Sequence, residues 1–202
     1  MSGALYGIDI DGLEEQMEKK KIGGTAIGNK RIYAMKYADD VALVAESGGE
    51  LKSMLNELRK YTKENKIEVN ADKTKIIICW NGGRKKKEKK WTYEGEEIEE
   101  VKEVKYLGYW FTMKNSAAKQ RKEMARKAQK ATNAVWGIIK RSKRNSIRER
   151  MYLMNTVAKS VAMYGVEVWG WEKSEEIRRV HRRLCKMALG VSRDTQGYIW
   201  RE

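Results

Sequence analysis

Two adjacent aspartates between two apolar runs constrain the fold of this chain more than any other feature. Asp39 and Asp40 separate the strand-like run 31–37 from the run 41–45. This order predicts a β-hairpin with two carboxylates at its tip. Carboxylates at a tip suit a divalent metal that also binds phosphate oxygens, because Mg²⁺ rarely takes a full protein cage. The tetrapeptide Tyr37–Asp40 alone is not specific, since aspartate is also common in ordinary turns.

Further motifs follow in order along the chain and make the interpretation more specific. They are Ile22-Gly23-Gly24, Gly28–Tyr33, Val41–Glu46, Asn70–Lys75, Val104–Tyr109 and Tyr164–Gly170. Together with the two aspartates, these segments resemble the reverse transcriptase of non-LTR, LINE-like retrotransposons over nearly the whole chain. Several motifs in the expected order are far more specific than any one of them.

The resemblance implies an RNA-directed DNA polymerase that uses Mg²⁺ or Mn²⁺. Its partners would be an RNA template, a DNA primer or an RNA–DNA hybrid, and deoxynucleotides. The catalytic residues it implies are Asp39 as a metal ligand, Asp40 as the neighbouring metal-site carboxylate, and Lys73 beside the incoming triphosphate. The nucleic-acid contacts it implies are Tyr37 near the primer end and Leu107-Gly108 on the primer backbone.

The resemblance also predicts that the metal site is incomplete. Family members carry another catalytic aspartate on an earlier palm strand, well before the acidic hairpin. Asp9 and Asp11 lie too close to Asp39 for the helical segment that the family places in between. Residues 11–15 resemble the end of the helix that precedes the hairpin. We therefore expect a fragment that begins inside the palm, without fingers, first metal aspartate or endonuclease domain, and with little activity alone.

Positive charge is concentrated in one segment of the chain. Lys and Arg number 43 against 28 acidic residues, a net charge of +15, and residues 114–150 alone carry thirteen bases against two acids. An apolar stripe in this segment predicts a helix with one core face: Ala117, Met124, Ala128, Ala131, Val135 and Ile138. The predicted cationic face comprises Lys119, Arg121, Lys122, Arg126, Lys127 and Lys130. We predict that it binds a phosphate backbone, and a merely solvated helix surface is the alternative.

The overall pattern predicts an α+β chain with two parts. Residues 1–113 mix strands and helices and resemble the latter part of a polymerase palm, including the primer-grip strand; residues 114–202 are helical and resemble the thumb and the helical region after it. Expected elements of the first part are a helix at 13–21, a strand at 25–27, a helix capped by Ser47, a strand at 74–80, edge strands at 91–93 and 96–101, and a strand at 105–113. Expected helical stripes of the second part are Ile147, Met151, Met154, Ala158 and Val161, then Ile177, Val180, Leu184 and Ala188, ending at Gly190.

The remaining features bear on other classes of protein. No apolar stretch is long enough for a membrane span and no signal peptide is evident, so we expect an intracellular protein of nucleus or cytoplasm. Two distant cysteines indicate neither a disulfide framework nor a zinc knuckle. His181 and Cys185 share a helix face, but two ligands do not make a zinc site, and we expect His181 to be half-buried. Further expectations are core positions for Trp136, Trp169 and Trp171 and a solvated loop at 84–90.

Two alternative functions remain open on the sequence. The chain could be a basic nucleic-acid-binding relic without catalysis, or part of a related polymerase such as an intron-encoded maturase. The segment Tyr164–Trp171 favours the LINE-like interpretation over the maturase. An upstream aspartate in the same reading frame would favour the enzyme over the relic.

Overall fold

A computed structural model of the chain describes residues 3–80, 90–142 and 146–197, with the backbone alone for residues 3–11. The described residues form two compact units: one of residues 3–76 and 90–100, the other of residues 77–80 and those from Val101 onward. Helices combine with small, mainly antiparallel sheets, so the predicted α+β class is confirmed. None of the helices in these ranges is long and apolar enough to cross a membrane.

The first unit contains two helices and seven short strands within its described residues. They are α1 (Gly3–Lys20), β1 (Thr25–Ile27), β2 (Lys30–Ile32), β3 (Ala34–Tyr37), β4 (Asp40–Leu43), α2 (Gly48–Glu64), β5 (Lys75–Ile76), β6 (Trp91–Tyr93) and β7 (Glu96–Glu100). β1 pairs with β2 and β3 pairs with β4, each as an antiparallel hairpin. Asp11 lies within α1, as the resemblance predicts, and Asp9 lies on the same helix and not on a strand.

The apolar faces of α1 and α2, together with Tyr33, build the core of this unit. Ser47 begins α2 as predicted, because its hydroxyl accepts a hydrogen bond from the Glu50 amide at 3.2 Å. The run predicted as one strand over 31–37 is divided at Tyr33, whose side chain is buried. The buried members of the core are Leu13, Met17, Tyr33, Met54 and Tyr61.

Gly23 is the tightest point of this core and supports a stability prediction. Its φ is +74°, and a Cβ there would lie 2.1 Å from the sulfur of the fully buried Met54. We expect Gly23→Ala to lower the free energy of unfolding by about 2 to 4 kcal/mol, through overpacking and left-handed strain. Gly28 is the control, because its φ is +59° but no atom lies within 4 Å of an added Cβ. Gly28→Ala should cost about 1 kcal/mol; equal losses in urea titrations would contradict the packing argument.

The third sheet of the unit corrects two expectations. Its strand order is β5-β7-β6, so β7 is central and the prediction of an edge strand there is wrong. The turn between β6 and β7 is made by Glu94 and Gly95, both with positive φ, which returns the chain directly for antiparallel pairing. The strand predicted over 74–80 is reduced to β5, which pairs in parallel with β7.

The second unit contains a hairpin and a set of helices. The hairpin is β8 (Glu103–Tyr106) with β9 (Tyr109–Thr112), so the single strand predicted over 105–113 is wrong. The helices are α3 (Ala118–Arg141), α4 (Ile147–Met154), a π-helical turn (Asn155–Lys159), α5 (Ser160–Ala162), α6 (Val166–Trp169) and α7 (Glu175–Leu189). Gly190 ends α7 with a φ of +73°, as predicted.

The hairpin β8–β9 belongs to the helical unit because it is bonded to α3. The amide of Trp110 donates to the side-chain oxygen of Gln120 at 3.1 Å, and the ammonium of Lys119 lies 3.5 Å from the centre of the Trp110 ring. The boundary predicted at residue 113 marks a change of sequence pattern and stays a prediction. The compact units divide the described residues differently, after residues 76 and 100.

Several side chains predicted to be buried lie outside the core. Ile138 and Ile147 are more than half exposed and Trp171 is 89% exposed. On α3, Met124, Ala128 and Val135 are buried as predicted, but Ile139 is buried in place of Ile138. Trp169 is buried as predicted, whereas His181 is exposed. Of the loop expected at 84–90, all but residue 90 lies outside the described residues.

Candidate active site and nucleic-acid interface

The acidic hairpin places both aspartates at its tip. Tyr37 of β3 pairs directly with Asp40 of β4, which leaves Ala38 and Asp39 as a two-residue turn. Ala38 has a φ of +52°, the positive value that the first position of a primed hairpin turn requires. Asp39 is therefore the last turn residue and Asp40 the first residue of the returning strand.

The two faces of this hairpin differ. Ala34 is buried, and the ammonium of Lys36 pairs with the carboxylate of Glu14 on α1 at 3.0 Å. Because side chains alternate along a strand and directly paired residues share a face, Tyr37 and Asp40 lie on the opposite face. Tyr37 is 65% exposed. The tip and one face of the hairpin are thus open within the unit.

The carboxylate oxygens at the tip are donors of the type that Mg²⁺ and Mn²⁺ bind. Asp39 and Asp40 are both exposed, and carboxylate oxygens are the donors that these ions take together with substrate phosphates. No group of three or more His, Cys, Asp or Glu residues that could hold a metal occurs in the described part of the chain. Two neighbouring carboxylates therefore need further oxygen ligands to form a two-metal site.

Lys73 lies in a turn that Asn70 organises. The amide of Lys73 donates to the side-chain oxygen of Asn70 at 3.0 Å, and both the amide and the hydroxyl of Thr74 donate to the Asn70 carbonyl. The side chain of Lys73 is exposed. Residues 68–72 also line an open cleft together with Glu96. The triphosphate role of Lys73 stays a prediction.

The segment Leu107-Gly108 forms the tip of the hairpin β8–β9. Both residues have positive φ, +46° and +80°. The hydroxyl of Tyr164 donates to the Leu107 carbonyl at 2.6 Å, and a Cβ on Gly108 would lie 3.1 Å from the same hydroxyl. The indole of Trp169 donates to the Tyr164 carbonyl at 2.9 Å. Two motifs that are 57 residues apart in sequence are thus in direct contact, which sequence reasoning missed.

Half of the predicted cationic set on α3 is paired with carboxylates. Lys119 pairs with Glu103, Arg121 with Glu172 at 2.6 Å, and Arg126 with Glu123 at 2.8 Å. The hydrogen bond from Arg126 lowers the pKa of Glu123 below its usual range, so this carboxylate stays charged. The pairing reduces the charge that these three residues offer to phosphate. Of these three salt bridges, only Glu123–Arg126 could be predicted from the sequence, because its partners are three residues apart on one helix.

The other three members of the set, Lys122, Lys127 and Lys130, form no salt bridge with any carboxylate of the described residues. Lys122 and Lys130 are exposed, and Lys127 is half-buried. Within the predicted set, these three lysines are the charges available for an anionic partner; Lys140 and Arg141 at the end of α3 form no salt bridge among the described residues either.

Comparison with known families matches residues 1–111 to the family described as Reverse transcriptase (RNA-dependent DNA polymerase). The match covers more than half of the chain and includes the acidic hairpin, the Asn70 turn and the tip at Leu107-Gly108. The chain belongs to the reverse transcriptase family. No curated protein and no solved structure gives a significant match to it.

Proposed function

We propose that the chain is the palm and thumb portion of the reverse transcriptase of a LINE-like retrotransposon, acting in RNA-templated DNA synthesis by two-metal nucleotidyl transfer. The observation that carries the proposal is the open tip with Asp39 and Asp40, inside a segment that matches the reverse transcriptase family. The ordered motifs from residue 22 to residue 170 support the LINE-like assignment.

The residues of the chain would divide the work at this site. Asp39 supplies carboxylate oxygens from the turn, and Asp40 supports it from the first position of β4. The bound divalent metal supplies activation of the primer hydroxyl and neutralisation of phosphate charge. Tyr37, on the same face as Asp40, would pack against the primer end. Lys73 carries the charge that would balance the triphosphate.

A two-metal site would need at least one further carboxylate beside Asp39 and Asp40. Among the residues whose side chains the structure describes, no group of three metal ligands occurs. We propose that an upstream palm segment supplies the missing aspartate, and that the chain does not extend primers without it.

Template and nucleotide preference test the polymerase assignment. The chain, joined to the upstream part of its reading frame, should extend a labelled DNA primer on an RNA template with deoxynucleotides. Exchange of deoxynucleotides for ribonucleotides should lower incorporation strongly. Exclusive use of ribonucleotides would rule out a reverse transcriptase.

A nucleic-acid-binding module without catalysis is the second candidate. It is favoured by one observation within the second unit: Lys122, Lys127 and Lys130 of α3 form no salt bridge with any carboxylate of the described residues. Primer extension distinguishes the two candidates. If the chain is only a binding module, it should bind the RNA–DNA hybrid, but the joined protein should incorporate no nucleotides.

A further inference from the structure

We propose that α7 completes a phosphate-binding groove with α3, in which Arg183 is the central contact. The occupant is the sugar–phosphate backbone of an RNA–DNA hybrid, a partner that rests on the proposed function. The charge distribution of the sequence does not indicate this surface on α7. Residues 151–202 carry nine bases against six acids, so only the segment 114–150 stands out as strongly basic.

Packing holds the two helices side by side. Val180 of α7 packs with Ala125 and Ala128 of α3 in one apolar cluster. One turn further along α7, Leu184 packs with Val135 and Ile139 in another. Asn133 of α3 and Arg183 of α7 meet beside this packed contact, so we infer that the flanking residues of both helices line a common groove.

A network of side-chain hydrogen bonds fixes Arg183 at the edge of this groove. Its guanidinium donates to the side-chain oxygen of Asn133 on α3 at 3.4 Å, and the side-chain amide of Gln129 donates to the same oxygen at 3.1 Å. Both partners are neutral, and Arg183 has no carboxylate partner among the described residues. A guanidinium carries five N–H donors, so this arrangement orients the side chain while it keeps its charge.

The α3 side of the groove is a single row of polar side chains. Lys122, Arg126, Gln129 and Asn133 follow at spacings of four, three and four residues, which places them on one helix face. The row is roughly 16 Å long at about 1.5 Å of rise per residue. A duplex presents a phosphate about every 3.4 Å of its axis along one strand, so the row can face several phosphates.

The α7 side carries more positive than negative charge. Arg179 lies one turn before Arg183 on the same face. Its nearest carboxylate, Glu175 at 3.8 Å, also pairs with Arg178 and Arg182 at 3.3 and 3.1 Å. One carboxylate cannot neutralise three guanidinium groups. Glu176 is the other carboxylate of α7, so the helix carries two acids against four arginines, at 178, 179, 182 and 183. The groove therefore keeps a positive excess that a phosphate backbone complements.

Salt dependence of binding tests the groove. We expect Arg183→Gln to reduce the magnitude of the slope of log affinity against log salt by about one unit, measured by anisotropy of a labelled RNA–DNA hybrid. Asn133→Asp should produce a similar loss, because it keeps the shape of the side chain but pairs Arg183 with a carboxylate. Circular dichroism checks that both variants remain folded.

Two matched controls make the test decisive. Lys159→Gln removes one exposed positive charge from the π-helical turn, outside α3 and α7, and Asn115→Asp adds one negative charge ahead of α3; both should leave the slope within about 0.3 units. Equal effects of Arg183→Gln and Lys159→Gln, or none from Arg183→Gln, would overturn the groove. If Lys122→Gln still reduces the slope in that case, the proposed binding by α3 survives; if neither does, the binding proposal fails as well.

Discussion

Replacing Asp39 with alanine should lower the rate of RNA-templated nucleotide incorporation by about 10³-fold in the chain joined to the proposed upstream palm segment. A metal ligand at the reacting phosphate contributes several kcal/mol to the transition state, and each 1.4 kcal/mol is about tenfold in rate. Single-turnover primer extension measures the chemical step without the contribution of product release. Binding of the hybrid should change little, because the substitution leaves the basic residues of α3 and α7 unchanged.

Asp72 provides the control for Asp39. Like Asp39, it is an exposed aspartate of the first unit, but it precedes Lys73 in the Asn70 turn and is not part of the acidic hairpin. Asp72→Ala should retain activity within about threefold. Asp40→Ala should fall between the two variants, since Asp40 lies on the strand rather than in the turn. An Asp39→Ala protein that extends primers at the unmodified rate would remove Asp39 from the metal site.

Reversing the charge of Lys122 and Lys130 together should flatten the salt dependence of hybrid binding by about two units. Each lost phosphate contact removes nearly one unit of slope. Neither lysine has a salt-bridge partner among the described residues, so both charges are available to the ligand. Little dependence on the sequence of the hybrid is expected, because phosphate contacts carry no base information.

The double reversal of Lys119 and Arg126 is the matched comparison. Both lie on the same helix, but they pair with Glu103 and Glu123. Their reversal should flatten the slope by less than one unit, since these charges are already balanced within the protein. A larger effect from the paired residues than from the unpaired ones would show that the salt bridges break on binding.

The sequence predicts best those elements that depend on residues close together along the chain. The turn at Gly28-Asn29, the cap at Ser47 and the end of α7 at Gly190 all depend on side chains or φ values within a few residues. The acidic hairpin belongs with them, because its two runs and its turn are contiguous. These elements are where the structure agrees with the sequence most closely.

Expectations that depend on distant contacts were less accurate. The central position of β7 depends on pairing with β5, about twenty residues earlier. Likewise, the tip at Leu107 is bonded by Tyr164, and Lys119 is neutralised by Glu103. Periodicity does identify an apolar stripe, but it does not fix which flank packs, so Ile138 and Ile139 were exchanged.

Primer extension on an RNA template, run in parallel with the 202-residue chain alone and with the chain joined to its upstream palm, tests the central claim most directly. The account predicts no extension by the chain alone with Mg²⁺ or Mn²⁺, and extension by the joined protein that Asp39→Ala abolishes. Robust, Asp39-dependent synthesis by the chain alone would contradict the incomplete metal site. No synthesis by the joined protein would contradict its assignment as a working polymerase.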